Sequence, residues 1–403
     1  MMRLDDLAIL GGPPLFDEPL HVGRPNVPDR ERALARIAGV LDRRWLTNDG
    51  PCVRELEQRL RDFLGVGHCV LTCNGTVALE IAARAVGLSG EVIVPSLTFV
   101  ATAHALAWQG ITPVFCDVDR RTHTLDVRQV ETLVTPRTTG IVGVHLWGRA
   151  CDVEGLEEVA RRHGLVLLFD AAHAFGCSHR GRMIGSFGRA EIMSFHATKF
   201  FNTVEGGALV TDDGTLAARA RLLRNFGFDD YDSVTTLGTN GKMNEVCAAL
   251  GLVSLESLDD VLAANRRNYE RYRHGLAGVP GLELVAYDPR ERSNYQYVVV
   301  DVDPVRAGID RDRLVRVLWA ENVRARRYFY PGCHAMEPYR SRMPWAWRTL
   351  PETEGLAARL LTLPTGTAID DAAVDRICEL LRLVVACSGE LDRRLSGRAR
   401  VRA

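Results

Sequence analysis

Lysine is nearly absent. The 403-residue chain carries 50 basic side chains, yet only Lys199 and Lys242 are lysines and arginine supplies the rest. Lysine is therefore not what keeps this surface soluble, and each of the two invites a chemical reading. Charge bias is missing as well: 51 acidic residues leave a formal net charge of -1, which argues against a surface dedicated to nucleic acid or another polyanion. No apolar run approaches the roughly 20 residues of a membrane helix. The N-terminus, with Asp5 and Asp6, has no signal-peptide core, so a soluble cytoplasmic protein is expected. The ten cysteines are scattered with no Cys-x-x-Cys, which predicts reduced, mostly buried thiols. His68, Cys69 and Cys73 lack partners at zinc spacing, and no metal is expected.

With 46% hydrophobic and 25% charged residues, the chain is long enough for one large domain and a smaller one. Residues 1–26, rich in glycine and proline, read as an extended arm of the kind that packs on a partner subunit. Strand and helix then alternate: strands over Cys69–Leu71, Glu91–Val94, Val114–Val118, Ile141–Val144 and Leu165–Phe169, and helices over Val77–Val86, Phe99–Trp108 and Val153–Arg162. Runs without polar alternation suit a sheet covered on both faces. The layout is a doubly wound α/β domain over residues 27–262, closed by a long helix from Glu245 to Leu262 that continues towards Tyr272. Residues 263–390 read as a smaller α+β domain, and the basic tail 391–403 as a frayed end.

Four features point to chemistry. Thr72-Cys-Asn-Gly-Thr76 turns a strand end into a helix start, which suits a phosphate or a plain N-cap. Phe99, after Pro95-Ser-Leu-Thr, is either a core aromatic or a ring stacked on a planar cofactor. Asp170 ends an apolar strand where open α/β sheets bind ligands; a structural ion pair is the other reading. Ser194-Phe-His-Ala-Thr-Lys199 places a lysine in a loop among Phe195, Phe200 and Phe201, before the Gly206-Gly207 hinge. An amine can condense with an aldehyde and a guanidinium cannot, so Lys199 is expected to form a Schiff base. Gly65-Val-Gly67 lacks the third glycine of a dinucleotide fingerprint, and Gly241-Lys242 is no P-loop. Pyridoxal phosphate fits all four parts.

Trp45-Leu-Thr-Asn48, Asn74-Gly-Thr76, Glu91 to Thr102, Thr112 to Asp117, Asp170-Ala-Ala-His173, Ser194 to Lys199, Glu205-Gly-Gly207, Asn240 with Met243, and Leu363-Pro-Thr-Gly366 together resemble the DegT/DnrJ/EryC1/StrS family of sugar-nucleotide aminotransferases. The resemblance implies the aspartate-aminotransferase-like fold type I and pyridoxal 5'-phosphate, with pyridoxamine phosphate as its aminated form. It also implies residue roles. Lys199 would be the Schiff-base lysine and Asp170 the partner of the pyridine nitrogen. Gly75, Thr76 and Ser194 would bind the phosphate, Phe99 would stack on the ring, and His173, where many relatives carry glutamine, would meet the phenolic oxygen. Asn240 would reach the phosphate of a neighbouring subunit's cofactor, in a homodimer with shared active sites. The implied reaction is a ping-pong transamination of a dTDP-4-keto-6-deoxy-hexose by L-glutamate. Amination at C3 of a 3-keto sugar is the alternative, and a non-catalytic cofactor-binding sensor is the alternative of another class. His145, Trp147, Tyr328, Tyr330, His334 and Tyr339 are the expected substrate wall, because aromatic and histidine side chains suit a sugar diphosphate.

Overall fold

The computed structural model describes residues 2–343 and 350–401. Its centre is a seven-stranded sheet: β1 (His68–Thr72), β2 (Glu91–Pro95), β3 (Thr112–Cys116), β4 (Thr138–Val144), β5 (Val166–Asp170), β6 (Ala190–Ser194) and β7 (Gly207–Thr211). The spatial order is β1-β7-β6-β5-β4-β2-β3. Neighbours are parallel except at β7, which runs antiparallel to both β1 and β6. The unbroken apolar run of β5 has a direct cause. Leu167 and Phe169 enter the hydrophobic core on one side, and Leu168 enters the core on the other. Side chains alternate across a strand, so a sheet covered on both faces needs every position apolar. The run stops at Asp170, whose backbone sits beside Val144 and Ile192 at the strand tips.

The helices around this sheet begin where the sequence supplies caps. Asn74 is extended and its side chain accepts the Val77 N–H at 2.9 Å, which starts α1 (Gly75–Ala85). A Cβ on Gly207 would lie 2.6 Å from Asn74 C and Gly75 N, so the glycine lets β7 press against this helix start. The helix Pro51–Leu64 opens with proline in its first turn, and the buried carboxylate of Glu245 accepts its Cys52 and Val53 N–H groups at 2.8 and 2.9 Å.

The chain then leaves the sheet by two helices rather than the single long one expected. Ser257 (φ -101°, ψ 9°) separates α2 (Glu245–Glu256) from α3 (Leu258–Gly275). Leu258 joins the large core while Tyr269 and Tyr272 join the second one. A boundary at 262/263 thus cuts a continuous helix that serves both cores. The second core forms on a three-stranded antiparallel sheet of β8 (Leu282–Leu284), β9 (Val298–Val302) and β10 (Leu360–Leu363). Strand β10 and the helix Pro351–Arg359 before it were not expected from the sequence, because their pairing partners lie some sixty residues away, as in Val300 with Leu361.

Both chain ends differ from expectation. The arm folds back on its own chain: Leu4, Leu7 and Leu10, three apart on short 3-10 turns, bury in the second core. Glu321 accepts the amide N–H of Ala8 and Leu15 at 2.6 and 2.8 Å. Leu20–His21 pairs with Val323–Arg324. At the other end Ser388–Val401 is a helix and not a frayed tail. Leu391 is buried, and Arg394 meets both Glu390 and Asp5, so its basic residues find acids within reach. Among the described residues no helix is long and apolar enough to cross a membrane, and no cluster of histidine, cysteine or carboxylates could hold a metal.

Candidate active site

The strand tips of β5 and β6, the start of α1 and the loop after β6 enclose a cavity of about 560 Å³. Gly75, Thr76, Phe99, Asp170, His173, Ser194 and Lys199 all border it. Topology brings them together: Gly75 and Thr76 follow β1, Phe99 follows β2, Asp170 and His173 lie at the end of β5, and Ser194 and Lys199 at the end of β6, all at the same edge of the sheet.

At one end is a cradle for an anion. The N–H groups of Gly75 and Thr76, in the first turn of α1, and the Ser194 hydroxyl make no hydrogen bond among the described residues. A Cβ on Gly75 would lie 2.9 Å from Ser194 Cβ, which shows how closely helix start and strand end approach. Unpaired N–H groups at a helix N-terminus favour negative charge. These are the terms a phosphate requires.

At the other end stand a buried acid and an amine. Asp170 is 6% exposed. Its Oδ2 accepts the Thr102 hydroxyl at 2.8 Å and its Oδ1 the Ala172 N–H at 3.1 Å. Burial pushes this carboxyl above the usual range, opposed by those two donors and by Lys199. The Lys199 amine makes no ion pair and no hydrogen bond among the described residues. Burial lowers it to about 8, with Asp170 pulling the other way. Such an amine is far more often neutral than an exposed one.

The phenylalanines flanking Lys199 are the loop's footing. Phe195 and Phe201 meet edge to face at 4.8 Å, and Phe201 stacks on Phe175 at 4.8 Å. The Phe200 N–H donates to Gln296 Oε1 at 2.8 Å, tying the loop to the second domain. Phe99 is 57% exposed and borders the cavity; it precedes the helix Ala101–Ala107 rather than starting it. Asp170, Phe99, Lys199 and the α1 cradle together present an acid, an aromatic ring, an amine and anion-binding N–H groups around one cavity, a set that fits a phosphorylated pyridine aldehyde.

The expected substrate wall is largely elsewhere. Of its six residues, Tyr328 borders the cavity. His145 is buried: its Nδ1 accepts the Cys151 N–H at 3.0 Å and its Nε2 lies 3.2 Å from Glu191 Oε2. Trp147 is buried behind His173. His334 is bonded to Ser96 Oγ at 2.6 Å in the protein interior, and the buried Tyr339 to the exposed His104 at 2.8 Å. Tyr330 is half exposed, stacked against Arg311 and Arg327. Histidine and aromatic character does not distinguish a ligand wall from a satisfied core. Asn240 is exposed and lies outside this cavity, bridged to Asn225. Sequence reasoning assigned no role to Thr102, Tyr297 or Phe329. Thr102 could have been found by its spacing from Phe99; Tyr297 and Phe329 arrive from the second domain and carry no local signal.

Residues 28–382 match the model of the DegT/DnrJ/EryC1/StrS aminotransferase family. The chain is 35% identical over 371 residues to the dTDP-4-amino-4,6-dideoxy-D-glucose transaminase of Escherichia coli, covering 91% of this chain and 98% of that one. It is 53% identical to DesI, whose crystal structure was determined in the presence of its TDP-sugar product, with a TM-score of 0.92 and coverage of 97% and 99%. The sugar aminotransferase homologue Spr1654 of Streptococcus pneumoniae, solved in its PLP form, is 25% identical with a TM-score of 0.85 and coverage of 91% and 99%.

Proposed function

Because this chain belongs to the DegT/DnrJ/EryC1/StrS aminotransferase family, we propose that it moves the amino group of L-glutamate to C4 of a dTDP-4-keto-6-deoxy-hexose, yielding the 4-amino-4,6-dideoxy sugar, as a homodimer with shared active sites. The protein is an aminotransferase and its cofactor is pyridoxal phosphate. The observation that carries the sugar assignment is the 53% identity, over nearly the whole chain, to DesI with its TDP-sugar product. The name of the Escherichia coli relative supports amination at C4.

When bound, pyridoxal phosphate supplies an electron sink that acidifies the Cα–H of the amino donor. Lys199 would hold its aldehyde carbon. Asp170 would face the ring nitrogen, and its carboxylate, supported by Thr102 and the Ala172 N–H, keeps a proton on that nitrogen. Gly75, Thr76 and Ser194 would take the phosphate, Phe99 would cover one ring face, and His173 would meet the phenolic oxygen. Asn240, outside its own cavity, would serve the neighbouring subunit. As a free amine Lys199, which burial lowers to about 8, would be a base matched to neutral pH. It removes the proton from Cα of glutamate and later returns one to C4 of the sugar. Tyr328 and Phe329, at the second domain's side of the cavity, offer apolar faces to the sugar.

The test is incubation of the holoenzyme with glutamate and a panel of 3-keto and 4-keto dTDP sugars, with the product's amine located by NMR. Amination at C4 is expected; amination only at C3 would replace the assignment. Borohydride reduction and peptide mapping should modify Lys199, and light scattering should give twice the chain mass.

A further inference from the structure

Trp147 was expected in the substrate wall and is instead buried, with an unusual backbone. It holds φ +62° in the turn Leu146–Gly148, the left-handed region that bulky residues rarely adopt. That conformation directs its N–H to His173 Nδ1 at 3.4 Å. The indole keeps it there. Its Nε1 donates to His123 Nδ1 at 3.2 Å, and its ring lies nearly parallel to Phe329 and His173, with centroids 5.4 and 6.0 Å away. Asn294 donates to the backbone carbonyl of the histidine at 2.9 Å, and the imidazole itself is flanked by the rings of Trp147, Tyr297 and Phe329.

A neutral imidazole has one N–H and one acceptor nitrogen. If Nδ1 accepts from Trp147, the proton is on Nε2. His173 Nε2 makes no hydrogen bond among the described residues, while the residue borders the cavity. The groups around it are Lys199, Tyr297, whose ring centroid is 4.5 Å away, and Phe329. Burial and Lys199 both hold His173 well below its usual pKa, so the ring stays neutral.

We propose that Trp147 is a positioning residue: its strained N–H fixes His173 as the Nε2–H tautomer, so that the histidine presents a hydrogen-bond donor to the cavity. This rests on the reading of His173 as a neighbour of the cofactor's phenolic oxygen. An acceptor nitrogen facing that oxygen would repel it, whereas a donor stabilises its anionic form and so lowers the titration midpoint of the holoenzyme's visible band.

Two measurements test this. In holoenzyme labelled with ¹⁵N-histidine, with His173 assigned by its loss in His173→Gln, a long-range ¹H–¹⁵N spectrum should show Nδ1 bare and Nε2 protonated. A protonated Nδ1 overturns the proposal, and this result needs no Trp147 variant to fold. In pH titrations of the visible band, His173→Leu should raise the midpoint on the order of one pH unit, a tenfold change. Trp147→Ala should move it the same way. In a His173→Gln background, where an amide supplies the N–H without a tautomer to choose, Trp147→Ala should leave the midpoint unmoved. No shift in His173→Leu defeats the placement of His173 against the cofactor. A shift there without one in Trp147→Ala, or an equal Trp147→Ala shift in the glutamine background, defeats the role of Trp147 alone.

Discussion

Replacing Thr102 by valine should slow the reaction without touching any group that meets substrate. The Thr102 hydroxyl donates to Asp170 Oδ2 at 2.8 Å inside the protein, and the only other hydrogen bond to that carboxylate among the described residues is the Ala172 N–H. A hydrogen bond to a charged group contributes about 1.5–3 kcal/mol. At about 1.4 kcal/mol per pH unit, its loss raises the Asp170 pKa by roughly one to two units beyond the rise that burial already imposes. An acid that is more often protonated holds the ring nitrogen's proton less well. Thr102→Val should therefore lower kcat/KM by about 10- to 100-fold and move the acid limb of its pH profile up by roughly one to two units; Thr102→Ser should restore both. Stability has a definite sign. The folded-state pKa of Asp170 lies above its unfolded value, so its ionisation costs stability above the unfolded pKa. The variant enlarges that cost at neutral pH, and the difference fades as acid protonates the carboxyl in both states. An unmoved profile with kcat/KM within twofold of the parent would refute the reasoning.

Three further outcomes are expected. Covalent loading of cofactor-free protein with pyridoxal phosphate should speed up about tenfold per pH unit below 8 and level off above it, because burial lowers the Lys199 amine to about 8; a rate still climbing at pH 10 contradicts this, and Lys199→Arg should not load at all. Ser194→Ala should weaken cofactor affinity about tenfold by equilibrium dialysis, the effect of one lost charge-assisted hydrogen bond, and unchanged affinity would remove Ser194 from the cradle. Glu191→Leu should cost about 3–5 kcal/mol in denaturant unfolding, since it strands His145 and the Gly185 and Phe187 N–H groups that Glu191 accepts at 2.8 Å; a loss under about 1 kcal/mol would show that the buried pair is dispensable.

Much was legible in the chain. Strand β5 announced itself by five residues with no polar alternation ending on an acid, because a two-sided sheet admits only apolar side chains and its strand tip is the first place a carboxylate can reach a ligand. Lys199 stood out because arginine does every other cationic task except that of Lys242. Breaks in the long helix and the fate of both termini were not legible, since Ser257 is no strong helix breaker and the leucines of the arm look alike whether they bury at home or on a partner.

By itself, then, the sequence determined which chemistry is possible: a loop lysine set among phenylalanines, a strand-end acid and a glycine-permitted helix start are local facts of residue type and order. Only the tertiary structure decided which side chains reach that chemistry. His145 and His173 were both expected to face the site, yet one pairs with Glu191 in the interior and the other borders the cavity. What separates them is the packing of distant segments around each ring, and packing of that kind is not a property of any single stretch of chain.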